Sequence, residues 1–121
     1  MTMQRKMLGQ LGEAVATKYL EKDGYQIIER NYRCRLGEID IIAQDRDDFL
    51  VFVEVKSRSG DKYGLAQESV NGQKQFKLRQ LAWNYLKKSG KTGCKCRFDV
   101  IAILFDSNNT VKRLEHIENA F

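Results

Sequence analysis

Asp40, Glu54 and Lys56 are charged residues set inside two apolar runs, Glu38-Ile39-Asp40-Ile41-Ile42-Ala43 and Phe49-Leu50-Val51-Phe52-Val53-Glu54-Val55-Lys56. Both runs are rich enough in β-branched and aromatic residues to be central strands. The residues between them, Asp45-Arg46-Asp47-Asp48, have the composition of a turn. A hairpin symmetric about residue 47 sets Asp40 directly opposite Glu54, with β-carbons about 4.5–5.5 Å apart on one face. The two-residue period puts Lys56 on the face of Glu54. Facing carboxylates repel, and burying them unpaired is costly. A divalent cation removes that conflict, and hard oxygen ligands of this kind suit Mg²⁺, or Mn²⁺ in its place, with positions left for water and a substrate phosphate. Such an ion polarises a phosphoryl oxygen and lowers the pKa of a bound water, while Lys56 orients the water or offsets developing negative charge. The chemistry predicted is metal-assisted phosphodiester hydrolysis. The alternative is a structural ion network in which Asp40 or Glu54 pairs with Lys56 and does nothing more.

The elements that must position these residues read in the order αβββαββ, an α/β domain with a central mixed sheet flanked by helices. The first helix runs from about Gln4 to Asp23, with Leu8, Leu11, Val15 and Tyr19 on its apolar arc and Gly24 at its end. Glu13 falls at the edge of that arc beside Gly9, Ala16 and Leu20, so it either points toward the sheet or is an ordinary exposed acid. Tyr25 to Tyr32 is the first strand, and Arg33-Cys34-Arg35-Leu36-Gly37 then forms a loop. That loop sets Arg33 and Arg35 beside the proposed site, to clamp phosphate or simply to be exposed. After Lys56, the stretch from Ser57 to Gly64 reads as a flexible loop in which Arg58 and Lys62 grip nucleic acid or are merely solvated.

The second helix spans about Gly72 to Ser89, capped by Asn71 and closed by Gly90, with Leu78, Leu81, Ala82, Tyr85 and Leu86 as its apolar stripe. One turn further back, the stripe brings Lys74 and Gln75 to the sheet edge. Lys77, Asn84, Lys87 and Lys88 project elsewhere, as a phosphate-contacting or a soluble face. Phe76 and Trp83 read as packing residues rather than base-stacking platforms. Arg97 to Phe105 is a buried strand in which Asp99 takes a structural role, such as pairing with Arg97. Asp106 to Thr110 turns into a last strand, Val111 to Ile117, whose His116 has no defined partner that would make it a general base.

Residues 1–121 are expected to form a single domain, a length that buries about two thirds of the unfolded surface. No apolar stretch approaches the roughly 20 residues of a membrane helix, so the chain is expected to be cytoplasmic, with no membrane partner. Three cysteines and a single histidine argue against both a disulfide framework and a zinc site. The net charge of +5 is unevenly spread: Ser69 to Phe98 contains no acid and eight of the 21 basic residues, so the other 13 face all 16 acids, a net of −3. A basic region on an otherwise mildly acidic domain is the footprint of a polyanion binder, most simply a nucleic acid, unless it is only a solvated helix face.

Gly12-Glu13, Gly37-Glu38-Ile39-Asp40-Ile41-Ile42-Ala43, Phe52-Val53-Glu54-Val55-Lys56-Ser57-Arg58, Lys74-Gln75 and Arg97-Phe98-Asp99-Val100 together resemble the YraN family of predicted endonucleases. The similarity covers nearly the whole chain. That family is similar to archaeal Holliday junction resolvases within the restriction-endonuclease-like superfamily. The resemblance implies a restriction-endonuclease-like core and makes Asp40 and Glu54 metal ligands, with the Val55 carbonyl as a third. It makes Lys56 the catalytic lysine and Glu13 an auxiliary acid, with Gln75 and Lys74 flanking the site. The proline usually found before the aspartate is Ile39 here. The implied activity is Mg²⁺-dependent cleavage of DNA, branched DNA by analogy with the relatives, and a homodimer if both strands of a junction are cut. The competing expectation is a nucleic-acid-binding module that keeps the fold and does not cut.

Overall fold

Runs of β-branched and aromatic residues, broken by short turns, build one sheet, and two helices cover its two faces. The computed structural model describes residues 3–59 and 70–121. In chain order the elements are α1 (Met3–Lys22), β1 (Gln26–Cys34), β2 (Gly37–Gln44), β3 (Leu50–Ser59), α2 (Gly72–Ser89), β4 (Cys96–Phe105) and β5 (Val111–Ile117). This is the αβββαββ order that the sequence predicts. The strands lie side by side as β1-β2-β3-β4-β5, with β3 and β4 parallel and the other neighbours antiparallel, so the sheet is mixed. The parallel pair is joined through α2, because a parallel connection must return across the sheet.

On one face α2 packs its stripe of Leu78, Leu81, Ala82, Tyr85 and Leu86 against Tyr32, Ile39, Ile42, Phe52 and Val100. On the other, Ala16 and Leu20 of α1 meet Ile41, Val53, Ile101 and Phe105. Cover on both sides explains why the central strands are apolar on both of their alternating faces. The ends of α2 are fixed as the sequence predicts. The Asn71 side chain accepts from Lys74 N–H, and Gly90, at φ 69°, donates to the carbonyls of Leu86 and Lys87.

α1 departs from its expected orientation. Its buried line is Gly12, Ala16 and Leu20, while Leu11 is exposed and Leu8, Val15 and Tyr19 sit only partly buried at the edge. The missing side chain at Gly12 lets the helix backbone approach β3, and this close approach turns the small residues inward. Further differences concern the loops. β1 runs on to Cys34, paired with Gly37, so only Arg35-Leu36 turns between β1 and β2. Ser57, Arg58 and Ser59 are not loop but strand, because the parallel neighbour β4 continues the ladder past Lys56. Lys62 lies outside the described residues. Phe76 and Trp83, expected to pack, are 64% and 51% exposed. Asn84 turns inward instead, accepting a hydrogen bond from the Tyr32 hydroxyl.

The β2–β3 and β4–β5 hairpins, at opposite ends of the sheet, use the same turn. Asp45 Oδ1 accepts from the N–H groups of Asp47 and Phe49, and Asp106 Oδ1 from those of Asn108 and Thr110. Asp48 and Asn109 take the left-handed conformation that ends a three-residue hairpin loop, at φ 65° and 59°. Asp99, fully buried, accepts from Arg97 Nε at 3.0 Å, the pairing expected from the sequence, and from the Asn119 N–H at 3.0 Å. His116 has partners after all: its Nε2 lies 2.8 Å from Asp99 Oδ2 and its Nδ1 3.0 Å from the Tyr19 hydroxyl. Arg97 also pairs with Asp45, tying this network to the β2–β3 turn. Among the described residues no helix is long and apolar enough to cross a membrane.

Candidate active site

The β2–β3 ladder has the register of a hairpin centred on residue 47, with Gln44 opposite Leu50, Ile42 opposite Phe52 and Ile41 opposite Val53. One further step sets Asp40 across from Glu54, but the ladder stops at Ile41 and Val53. There Asp40 Oδ2 accepts from the Val55 N–H at 2.8 Å, in the place of a strand carbonyl. Ile39 packs on the α2 face and Ile41 on the α1 face, which residues two apart on a regular strand cannot do. The reversal falls at Asp40. Across from it on β1 is Asn31, which takes a left-handed conformation at φ 55°. β2 and β3 therefore part at this point, and the Asp40 carboxylate sits in the split instead of standing on one face beside Glu54.

Other charged groups reach the split from both sides. Glu13 of α1, Glu38 of β2 and Asp40 have carboxylate oxygens within 4.8 Å of one another. Glu13 follows Gly12, so the close approach of α1 to β3 carries it inward. With its amide nitrogen turned toward the acids, the orientation hydrogen bonding requires, Asn31 donates to Glu38 Oε1 at 2.7 Å and to Glu13 Oε1 at 2.8 Å. From the α2 side come Glu54 and Lys56, their side chains mostly buried, with Lys56 Nζ 3.3 Å from Glu54 Oε1. Lys74, in the first turn of α2, brings its side chain beside that of Lys56. Lys74 and Lys77 line a groove of about 170 Å³ with Gly37, Glu38 and Glu54. On the α1 side a second groove, of about 590 Å³, is lined by residues that include Glu13, Val55, Lys56 and Arg58.

The electrostatics follow from this crowding. Burial pushes the Asp40 carboxyl up to about 8, with Glu54, Glu13 and Glu38 adding to the rise and the Val55 N–H offsetting part of it. Glu13 is raised as well, first by burial and then by Glu38, against the Asn31 hydrogen bond. Lys74 is held below the ordinary lysine range, first by the adjoining Lys56 amine and then by burial. An acid that keeps its proton to near-neutral pH is short of positive charge, and Glu13, Glu38 and Glu54 near it offer further hard oxygen donors. That donor set fits a divalent cation such as Mg²⁺. The carbonyl of an extended residue points to the same side as its N–H, so the Val55 carbonyl opens toward Asp40.

The remaining predicted residues spread around this centre. Arg33 is exposed and pairs with Glu38 at 3.4 Å, and Arg35 is exposed in the β1–β2 turn. Arg58 is exposed at the rim, donating to the Ser57 carbonyl. Gln75 donates its amide to the Val70 carbonyl at 3.1 Å, fixing the entry to α2. Lys87 lies over the Trp83 ring and Lys88 is exposed in the last turn of α2, away from the acids. Sequence reasoning missed Glu38 and Asn31. Glu38 shares the two-residue spacing with Asp40, which was a usable signal. A left-handed Asn inside a strand announces itself only through the backbone.

The sequence pattern of the family described as "Uncharacterised protein family UPF0102" matches residues 12–103. A UPF0102 protein of Pelotomaculum thermopropionicum is 62% identical, covering 97% of both chains. One of Desulforamulus reducens is 52% identical, covering 99% of both. Among solved structures, a repair endonuclease from Pyrococcus abyssi gives a TM-score of 0.37 at 16% identity, over 88% of this chain. This chain spans only 38% of that larger one. The chain belongs to the UPF0102 family, to which the YraN resemblance of its motifs points.

Proposed function

We propose that this chain is a metal-dependent nuclease that hydrolyses phosphodiester bonds of DNA, branched or junction DNA among them. The observation that carries the reading is the meeting of Asp40, Glu54, Glu13 and Glu38 with two lysines in a split of the sheet. Asp40, Glu54 and the Val55 carbonyl would hold Mg²⁺ or Mn²⁺, with Glu13 as auxiliary acid. When bound, such an ion polarises the phosphoryl oxygen and lowers the pKa of a water. The chain's own residues do the rest. Lys56, held on Glu54, orients the attacking water and offsets charge developing on the phosphate. Lys74 adds a second cation on the α2 side. Arg33 and Lys77 border the opening, where they can take the phosphates on either side of the scissile bond.

The test is incubation of purified protein with Mg²⁺ or Mn²⁺ and labelled single-stranded, duplex and junction DNA, and RNA, beside a Glu54→Ala control. Cutting by wild type that is lost in the variant supports the reading, and cutting that survives in the variant rejects the site. Steeply salt-dependent binding with no cutting under any condition would assign the chain to the non-catalytic binding modules instead.

A further inference from the structure

We infer that the outer face of α2 is a stacking platform for unpaired bases of a single-stranded nucleic acid. Trp83 and Phe76 form the platform, and Lys77, Lys87 and Lys88 take the phosphates. The inference rests on the nucleic-acid reading above and specifies the form of substrate that this surface receives.

Phe76 and Trp83 are seven residues apart, so they stand on one side of the helix, about 10 Å apart along its axis. That side is opposite the buried stripe, and the two rings are 64% and 51% exposed. Two large aromatics on the face away from the core leave apolar ring surface in water that a stacking partner can cover. Charge selects the occupant. α2 carries Lys74, Lys77, Arg79, Lys87 and Lys88 and no acid, within a window, residues 69–98, that holds no acid at all. A second copy would bring two such helices together and be repelled. A single-stranded nucleic acid supplies what both groups lack, phosphates for the ammonium groups and base faces for the rings. Lys87 Nζ already lies 5.6 Å from the centre of the Trp83 ring. A base can take that place while the ammonium moves to the adjoining phosphate. The N-terminal end of α2 delivers Lys74 and Lys77 to the groove beside Glu54. A strand lying along the helix therefore runs from the platform to the acids, so the substrate has an unpaired stretch next to the bond that is cut.

Trp83 is the single tryptophan of the chain, so its emission reports on the platform alone. The full chain in EDTA is titrated with an oligo-dT strand, a duplex of equal length, inorganic polyphosphate and poly-glutamate. Oligo-dT should quench Trp83, and polyphosphate should bind without quenching. Anisotropy of labelled oligo-dT should show about tenfold weaker binding for Trp83→Ala and for Phe76→Ala, with Trp83→Phe largely restored. Circular dichroism should show wild-type helix content in each variant. Tight oligo-dT binding with unchanged emission and unaffected variants overturns the platform, as does equal quenching by duplex. Preference for poly-glutamate also overturns it and assigns the face to an acidic protein partner. None of these results touches the hydrolytic reading, which stands or falls on Glu54→Ala. Quenching that survives in Glu54→Ala separates the two.

Discussion

Gly12 and Ser57 meet so closely across the α1–β3 interface that a β-carbon on Gly12 would lie 1.8 Å from Ser57 Oγ and 3.1 Å from its Cβ. The next residue in the helix is Glu13, so this contact sets how far that acid reaches toward Asp40. Gly12→Ala should cost about 1–3 kcal/mol in urea unfolding by overpacking. It should also weaken Mn²⁺ binding by moving Glu13 outward, and Ser57→Ala in the same chain should recover part of both losses. A Gly12→Ala protein with wild-type stability and metal affinity would show that the contact positions nothing.

Asp40 makes the metal-free protein pH-sensitive. Its carboxyl titrates near 8 when folded, against 3.8 ordinarily. Between those values the folded chain holds a proton that the unfolded chain has released, so stability falls as pH rises from about 4 to about 8. The loss is at most about 1.4 kcal/mol for each unit of the gap. Urea midpoints measured without metal should decline across that range in wild type and stay flatter in Asp40→Asn. Divalent-metal affinity should climb with pH over the same range, because the ion displaces that proton. A wild-type midpoint that rises between pH 5 and 8 would contradict the assignment.

Glu54 and Lys56 should separate binding from turnover. Calorimetry with Mn²⁺ should show Glu54→Gln losing affinity. Lys56→Met should bind as well as wild type or better, since a cation next to Glu54 has been removed. Cleavage should fall about 10²-fold or more in both. If Lys56→Met loses the metal instead, the lysine is a structural partner of Glu54 and not part of the chemistry.

Asp99 is the opposite kind of acid. Burial alone would raise it, but hydrogen bonds from His116, Arg97 and the Asn119 N–H hold it below the usual carboxylate range. Asp99→Ala takes one acid from Arg97, leaves His116 Nε2 and the Asn119 N–H without their partner, and should cost about 3–5 kcal/mol. Mn²⁺ affinity should be unchanged at a temperature where the variant is folded. Wild-type stability for this variant would mean that the network contributes little.

The parts of the fold fixed by local chemistry were legible in the sequence. The stripe, Asn71 cap and Gly90 end of α2 follow from helical period and capping, and the element order from hydrophobic period and turn residues. The register that brings Asp40 level with Glu54 followed from the symmetry of the hairpin alone. What escaped depends on tertiary contact. Ser57 to Ser59 are strand because β4 lies alongside, and no local preference encodes a parallel neighbour. The rotation of α1 depends on how close a glycine lets it come to the sheet. Phe76 and Trp83 belong to residue types that usually pack, yet their spacing sets them opposite the stripe and both are exposed. The split at Asp40 needs the left-handed Asn31 on the adjacent strand, which neither residue type nor spacing reveals.

The three-residue turn locked by Asp45 has a consequence for how such a protein can change. Asp40 and Glu54 are level only because residues 45–49 close at a fixed length, five rungs from the acids. One residue inserted there would slip the pairing and carry one acid to the far side of the sheet. A solvent-facing bend distant from the acids therefore fixes their relative height, and an even slip that kept each side chain on its own face would still take Asp40 off the level of Glu54.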